Sequence, residues 1–300
     1  MRNIHHGSKI AIVSPSGKIS DDYLLKAVAE IEAEGYKVEI MPHVREHATS
    51  VFSAKDNERS NDLREAILSD DIDAIICARG GYGAVRTLQT MGIDVLQWCD
   101  KWLVGFSDIT VLHSGLTRFG HKSIHGPMLK HIAEHGINSH DIQETFAIMK
   151  GKNNLKVECE AGPFSRDGET EGIVTGGNLS IIYSLRGTPD DITPDGKILF
   201  LEDLCEYNYH IDRMIQNLKY SGYLARISGL VLGQFTDMKD GATAFGKEAV
   251  EIITDAVKEY GYPVLTNYPA GHAQEINMPL IMGARAKLIV KDGTGTIEWE

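Results

Sequence analysis

The stretch Lys9-Ile10-Ala11-Ile12-Val13, closed by Ser14-Pro15-Ser16-Gly17, is the clearest fold signal in the chain. A short apolar run that ends in a Ser/Pro/Gly turn is typical of a buried strand. The next segment, Asp21 to Glu34, has apolar residues at helical spacing and stops before Gly35. Strand, turn and helix in this order predict the first repeat of an alternating α/β fold.

The same alternation continues to about residue 150. The pattern predicts further strands at 37–41, 74–78 and 101–105, and helices at 57–69 and from Ala84. Alternating strands and helices predict a mostly parallel sheet with helices on both faces.

The alternation fades at 151–172, a polar segment that contains Gly162, Pro163 and Gly168. Glycine and proline in a polar stretch indicate a linker or a crossing segment. Beyond it, the pattern predicts strands near 197–201, 229–234 and 286–290 and helices near 211–221 and 246–260. We therefore expect an N-terminal domain at 1–150, a linker at 151–172 and a C-terminal domain at 173–300.

Composition and charge exclude several classes of partner. The chain has 300 residues, 42 of them acidic and 30 basic, for a formal net charge of -12. Such an acidic chain has no general attraction for phosphate backbones or anionic membranes, so nucleic acid is not an expected partner. No apolar run approaches the roughly 20 residues of a membrane span, and residues 1–9 lack the apolar core of a signal peptide. We expect a cytoplasmic protein.

The four cysteines agree with a reducing compartment. No two of them form a Cys-x-x-Cys pair. We interpret them as reduced, buried thiols rather than as metal ligands or disulfides.

Two segments that follow predicted strands carry groups for chemistry. Arg79-Gly80-Gly81-Tyr82-Gly83 could cradle a phosphate, form half of an oxyanion hole or simply make a tight turn. Gly105-Phe106-Ser107-Asp108-Ile109 places a serine between a strand and a helix, as a nucleophile elbow does. The second glycine of the esterase elbow is absent, and a helix N-cap is the alternative interpretation of Ser107.

Two later segments carry the groups that could activate a serine. Leu199-Phe200-Leu201-Glu202-Asp203 ends an apolar strand in two carboxylates, which could orient a histidine or be a solvated strand end. Gly271-His272 lies in a loop, where a histidine can be a general base or a surface residue.

A possible zinc motif is also present. His131-Ile132-Ala133-Glu134-His135 has the spacing of an inverted zinc-peptidase motif. A zinc site needs a third ligand, and the region that follows suits an exposed helix end. We do not expect a metal site here.

Several motifs, taken in order, identify a family resemblance. The chain resembles the L,D-carboxypeptidase (muramoyltetrapeptide carboxypeptidase) family of serine peptidases from about Gly7 to Leu288. Besides the segments above, which include Gly271-His272, the motifs are the opening 7–17, His125-Gly126-Pro127, Gly176-Gly177-Asn178-Leu179 and Ile211-Asp212-Arg213-Met214. The resemblance implies a Rossmann-like N-terminal domain with a parallel sheet. It also implies a C-terminal domain of mixed β/α structure, described as swivelling and barrel-like.

The resemblance also implies roles for individual residues. Ser107 would be the nucleophile, His272 its general base and Glu202 the carboxylate that orients the histidine. The backbone N–H groups of Asp108 and Gly81, with Gly80 as the alternative to Gly81, would form the oxyanion hole. The substrate's terminal carboxylate calls for a basic group, and Arg79 and Arg86 are candidates by position.

The implied substrate is the cytosolic murein tetrapeptide L-Ala-γ-D-Glu-meso-diaminopimelate-D-Ala, cleaved during peptidoglycan recycling. Neither a metal nor another cofactor is implied, and family members are often homodimers. A related branch that cleaves peptide-nucleotide or aminoacyl-adenylate antibiotics of the microcin C type is the main alternative. A non-catalytic murein-peptide binding protein would need a broken triad, and all three triad positions are intact in the sequence.

Overall fold

The computed structural model describes residues 1–45, 50–152, 154–273 and 276–300. The chain divides into two compact units. The first comprises Met1–Asn153 and Met278–Gly283, and the second comprises Asn154–Asn277 and Ala284–Glu300. No helix within the described ranges is long and apolar enough to cross a membrane.

The first unit is an α/β sandwich of six strands and six α-helices within its described residues. Its strands are β1 (Lys9–Val13), β2 (Lys37–Ile40), β3 (Ala74–Cys77), β4 (Trp102–Gly105), β5 (Ser123–His125) and β11 (Leu280–Met282). Its helices are α1 (Asp21–Ala33), α2 (Asp56–Leu68), α3 (Ala84–Met91), α4 (Thr110–Arg118), α5 (Leu129–His135) and α6 (His140–Met149). Short 3-10 helices span Ile93–Trp98 and Ser107–Ile109.

The sheet order of this unit places its loops for binding. The strands lie in the order β11-β5-β4-β3-β1-β2, with β1 to β5 parallel and β11 antiparallel to β5. The chain order reverses at the β1–β3 pair, and ligands of open α/β sheets bind beyond the carboxyl ends of strands at such a point. The loops that follow β1, β3 and β4 all start from this edge.

The second unit contains the remaining elements. Its strands are β6 (Lys156–Glu160), β7 (Gly168–Asn178), β8 (Ile198–Leu204), β9 (Gly229–Thr236), β10 (Val264–Leu265), β12 (Arg285–Lys291) and β13 (Thr294–Trp299). Its helices are α7 (Leu179–Leu185), α8 (Asn208–Tyr220) and α9 (Ala249–Ala256). Helix α8 buries Ile211, Met214, Ile215 and Leu218, an apolar stripe at helical spacing that joins the main core cluster of this unit.

The sheet of the second unit is mixed and curls back on itself. Its order is β10-β9-β8-β7-β12-β13-β6, with β7 to β10 parallel and the other pairs antiparallel. The chain that leaves the edge strand β6 hydrogen-bonds to the opposite edge strand, because Arg166 N–H donates to Val264 O (2.8 Å) and Val264 N–H to Arg166 O (3.1 Å). This closure gives the sheet a barrel-like form. The predicted fold class, a parallel α/β part followed by a mixed β/α part, is confirmed.

The interpretation of 151–172 as a linker is wrong. This segment holds all of β6 and the beginning of β7, which pair with β13 and β12. Strand β6 is an edge strand, and only Val157 is fully buried along it. An edge strand with one wet face needs few apolar residues, so its sequence resembles a loop.

The expectation of four buried thiols is also wrong in part. All four cysteines are free, and Cys77 and Cys99 are buried. Cys159 is partly exposed and Cys205 is exposed. Burial raises the pKa of the Cys99 thiol, which keeps that residue in its unreactive protonated form.

Candidate active site

Ser107 occupies a strained turn between a strand and a helix. Strand β4 ends at Gly105, and Ser107 has a left-handed φ of 63°. A non-glycine residue in this conformation costs about 1–2 kcal/mol and persists only where the surroundings enforce it. Gly105 permits the sharp turn, because a Cβ there would lie 2.9 Å from Cγ1 of Ile109. The turn therefore has the form of a nucleophile elbow, with Ser107 partly exposed.

Ser107 is not a helix N-cap in the structure. Phe106 holds the N-cap position of the 3-10 turn, Ile109 holds that of α4, and neither helix start has a side-chain cap hydrogen bond. The Ser107 hydroxyl is therefore not used to cap either helix.

The glycine loop that follows β3 lies against this serine. A Cβ added to Gly80 would lie 3.0 Å from Cβ and 3.2 Å from Oγ of Ser107. Gly81 has a φ of 111°, which a residue with a side chain rarely adopts. Within the described part of the chain, the N–H groups of Gly80, Gly81 and Asp108 donate to no protein acceptor. These donors next to a serine could receive an oxyanion.

Glu202 and His272 form a hydrogen-bonded pair in the second unit. Nδ1 of His272 lies 2.6 Å from Oε2 of Glu202. The Glu202 side chain is fully buried at 0% exposure, whereas that of His272 is 14% exposed. Glu202 is therefore not a solvated strand end. The pair has the carboxylate–imidazole arrangement that fixes the tautomer of a general base.

The surroundings hold His272 in place and set its charge preference. Gly271 N–H donates to Oδ1 of Asn277 (3.0 Å), and Ala273 N–H donates to Oε1 of Gln234 (2.9 Å). Burial by itself lowers the pKa of His272, but the charge and hydrogen bond of Glu202 outweigh it and raise the pKa. An imidazolium at this position is thus stabilised, as a proton-accepting base requires.

A second buried carboxylate, Asp203, adjoins this pair; the sequence pattern included it beside Glu202 but predicted no separate role for it. Its Oδ1 accepts from Nδ2 of Asn178 (2.9 Å), and its Oδ2 accepts from the N–H of Ser180 (2.9 Å) at the start of α7. Burial, followed by the charge of Glu202, raises the pKa of Asp203 to about 7. The Gly176-Gly177-Asn178-Leu179 motif is the sequence signal for this network, since Asn178 caps α7 through Ile181 N–H.

The two candidate arginines differ in their partners. Arg86 makes two hydrogen bonds to Asp56, Nε to Oδ1 at 3.1 Å and Nη2 to Oδ2 at 2.6 Å. Arg79 donates Nη1 to the carbonyl of Lys18 at 3.3 Å. A bidentate carboxylate partner already uses the face of Arg86 that would bind a substrate carboxylate. Arg79 is therefore the better placed of the two.

The His131-Glu134-His135 segment does not form a metal cluster in the structure. Both histidines lie on α5, where their rings stack with centroids 6.0 Å apart, and Glu134 pairs with Lys130 at 3.1 Å. Burial lowers the pKa of His131 to about 4. Across the described ranges, no group of three or more His, Cys, Asp or Glu residues could hold a metal ion.

Comparison with known proteins covers most of the chain. Residues 10–126 match the model of the LD-carboxypeptidase N-terminal domain, and residues 171–288 match that of the C-terminal domain. A probable murein peptide carboxypeptidase of Bacillus subtilis is 28% identical over 98% of this chain and 93% of its own length. The murein tetrapeptide carboxypeptidase of Pseudomonas aeruginosa is 29% identical over 89% of each chain. The crystal structure of a muramoyltetrapeptide carboxypeptidase from Oxalobacter formigenes is 31% identical, covers 97% of this chain and 98% of its own, and superposes with a TM-score of 0.87.

A self-immunity protein is similar to this chain at lower identity. The microcin C7 self-immunity protein MccF of Escherichia coli is 24% identical over 74% of this chain and 73% of its own length. A structure of MccF in complex with glutamyl sulfamoyl guanosine superposes with a TM-score of 0.84 at 19% identity, over 99% of this chain and 97% of that one. Likeness at that identity shows a shared fold.

Proposed function

This chain belongs to the LD-carboxypeptidase family of peptidases, and from that premise we propose that it is a serine carboxypeptidase. Its proposed substrate is the murein tetrapeptide L-Ala-γ-D-Glu-meso-diaminopimelate-D-Ala. The bond cut joins the L-centre of diaminopimelate to the terminal D-Ala. The observation that carries the proposal is the 2.6 Å hydrogen bond between His272 and the buried Glu202, together with the strained serine turn at Ser107.

The proposed triad is Ser107, His272 and Glu202. The bond from Nδ1 of His272 to Glu202 leaves the lone pair on Nε2, which would take the proton of the Ser107 hydroxyl. Oγ of Ser107 then attacks the scissile carbonyl, and His272 gives the proton to the nitrogen of the leaving D-Ala. Water, activated by the same histidine, releases the acyl group and restores the serine. No step of this proposed mechanism requires a metal or another cofactor.

The proposed oxyanion hole uses the N–H groups of Gly81 and Asp108. Negative charge develops on the carbonyl oxygen as Oγ attacks, and preorganised donors stabilise it more than they stabilise the neutral carbonyl. Each such donor contributes about 3–4 kcal/mol in comparable enzymes. The two N–H groups have no protein acceptor among the described residues, which supports this use.

Substrate binding is proposed to involve Arg79. The leaving residue carries a free carboxylate, which a guanidinium can bind through two hydrogen bonds. Arg86 is the second candidate, and its pair with Asp56 would have to open first.

The proposed setting is the cytoplasm, where murein peptides return during peptidoglycan recycling. The names of the murein carboxypeptidase relatives support this assignment of substrate. A homodimer is the proposed assembly.

The alternative function is cleavage of peptide-nucleotide or aminoacyl-adenylate antibiotics. The similarity to the microcin C7 self-immunity protein supports this alternative function. The same proposed triad would perform the acyl transfer in both cases, so only the substrate distinguishes the two functions.

The deciding experiment uses the purified full chain with UDP-MurNAc-tetrapeptide in the presence of EDTA, followed by mass spectrometry. The wild type should release one D-Ala and Ser107→Ala should release none. Ser114→Ala, a serine on helix α4, is the matched control and should retain activity. No release by the wild type, with cleavage of an aminoacyl-sulfamoyl adenylate, would select the alternative function. Loss of activity in EDTA would contradict the metal-free mechanism.

A further inference from the structure

The side chain of Asp108 is bound by two other loops, whereas its backbone N–H is proposed to serve the reaction. It is 2% exposed and accepts two hydrogen bonds at Oδ2, from Oγ of Ser16 (2.6 Å) and from the N–H of Ala84 (2.8 Å). Ser16 belongs to the turn after β1, and Ala84 is the first residue of α3. One carboxylate oxygen thus joins the loops that follow β1, β3 and β4.

The Ala84 contact fixes the end of the glycine loop. Helix α3 begins immediately after Gly83, and no side chain of its own N-cap residue can satisfy its first N–H groups, because that residue is glycine. Asp108 supplies the missing acceptor from a different part of the chain. A carboxylate at a helix N-terminus is also favoured by the helix dipole.

Buried Arg59 holds the same loop from the other side. Its Nη1 donates to the carbonyls of Pro15 (2.5 Å) and Gly83 (3.1 Å), and Nη2 pairs with Asp56. Gly17 N–H donates to Gly80 O at 3.1 Å. The glycine loop is therefore anchored at both ends, and Asp108 is the anchor that is covalently next to Ser107.

The carboxylate is costly to keep in this position. Burial raises the pKa of Asp108, although the Ser16 and Ala84 hydrogen bonds and the charge of Arg59 oppose that rise. Its Oδ1 is buried and has no hydrogen-bond partner among the described residues. A buried carboxylate with an unsatisfied oxygen destabilises the fold, and a functional role is one explanation for keeping such a group.

We propose that the Asp108 side chain is a positioning residue that sets the glycine-loop N–H groups at a fixed distance from Oγ of Ser107. The inference rests on the proposed function, because it assigns the glycine loop to the oxyanion hole. It predicts an effect on the transition state rather than on substrate binding, since the oxyanion exists only during the reaction.

The test compares Asp108→Ala and Ser16→Ala with wild type in the full chain. The first readout is kcat and KM for D-Ala release from UDP-MurNAc-tetrapeptide. The second is the rate at which a fluorophosphonate labels Ser107, in which the Oγ–P bond forms, the P–F bond breaks and the serine proton passes to the base. The probe also needs donors to its phosphoryl oxygen, and it does not depend on the identity of the natural substrate.

We expect Asp108→Ala, which removes the acceptor that an asparagine oxygen could replace, to lower both kcat and the labelling rate by about 100-fold, the effect of one misplaced oxyanion donor. KM should stay within about twofold. Ser16→Ala removes one of the two hydrogen bonds and should lower both rates by about three- to tenfold. Asp62→Ala is the matched control, because Asp62 is a buried aspartate (3% exposed) that binds His43 instead.

The outcomes separate this inference from the proposed function. A wild type that labels rapidly but releases no D-Ala contradicts the proposed substrate, and the labelling rates still test Asp108. Equal kcat and labelling losses in Asp108→Ala and Asp62→Ala at equal thermal midpoints would overturn the inference. So would a rise in KM as large as the fall in kcat.

Discussion

Nδ1 of His272 lies 2.6 Å from Oε2 of Glu202, which has no exposed surface. Strand β8 supplies the carboxylate and the loop after β10 supplies the imidazole, so 70 residues separate the two in sequence. Because water does not reach the carboxylate, its charge acts on the imidazole with little screening.

The first prediction concerns the pH dependence of this pair. Neutral His272 is the proposed base, and its pKa is raised above the ordinary 6.5 by Glu202. The acidic limb of kcat/KM should therefore have its midpoint above pH 6.5 in the wild type. Glu202→Gln removes the negative charge but leaves His272 buried, so the midpoint should fall below pH 6.5. The value of kcat should also drop by about 10³- to 10⁴-fold. An unchanged midpoint in a pH–rate profile would show that Glu202 does not control the base.

The second prediction concerns the contact between the glycine loop and the serine. Gly80→Ala places a methyl group 3.0 Å from Cβ of Ser107, which displaces the serine by a few tenths of an ångström. A misplacement of about 1 Å can cost about 100-fold in rate, so a shift of a few tenths of an ångström should cost about 2- to 10-fold. Gly261→Ala is the matched control, since no atom lies within 4 Å of the added methyl. Measured kcat values should separate the two variants, and similar values would mean that the loop yields to the methyl group.

The third prediction concerns stability and Asp203. Its pKa is about 7 in the folded protein against an ordinary 3.8, so the folded state holds a proton that the unfolded state has released. Stability from this group is present below about pH 4 and is lost as the pH rises to about 7. The thermal midpoint of Asp203→Asn should therefore rise relative to that of the wild type between about pH 4 and pH 7, and the difference should then level off. The asparagine variant also loses the Ser180 hydrogen bond, which shifts the difference by a constant. A difference that is flat across the range would contradict the raised pKa.

The fourth prediction concerns recognition of the substrate carboxylate. Arg79→Ala should raise KM for the tetrapeptide by about tenfold or more, with a smaller change in kcat, because a charged hydrogen bond to the ground state is lost. Arg86→Ala should change KM less, since that guanidinium already binds Asp56. Steady-state kinetics on both variants measure these KM values. A larger rise in KM for Arg86→Ala than for Arg79→Ala would assign the substrate carboxylate to Arg86.

Local patterns were sufficient where a single segment carries its own signal. The buried strands β1, β3 and β4 are short apolar runs closed by turn residues, and their bounds agree with the prediction to within one residue. The hairpin of β12 and β13 was missed although Asp292 and Gly293, both with positive φ, are a typical hairpin turn. The helix predicted for 246–260 is shorter in the structure, Ala249–Ala256.

The sequence by itself determined the α/β class, the family and the residues proposed for the triad, because apolar runs, turn residues and short motifs carry these signals locally along the chain. Only the tertiary structure decided which polar groups meet. It pairs Arg86 with Asp56, directs Asp108 to Ser16 and Ala84, and buries Asp203 beside Glu202. It also places the polar β6 in a sheet beside β13, a partner more than a hundred residues away. The physical reason is that hydrogen bonds and burial depend on distance in space, and a polar side chain carries no local signal of the distant group that will satisfy it.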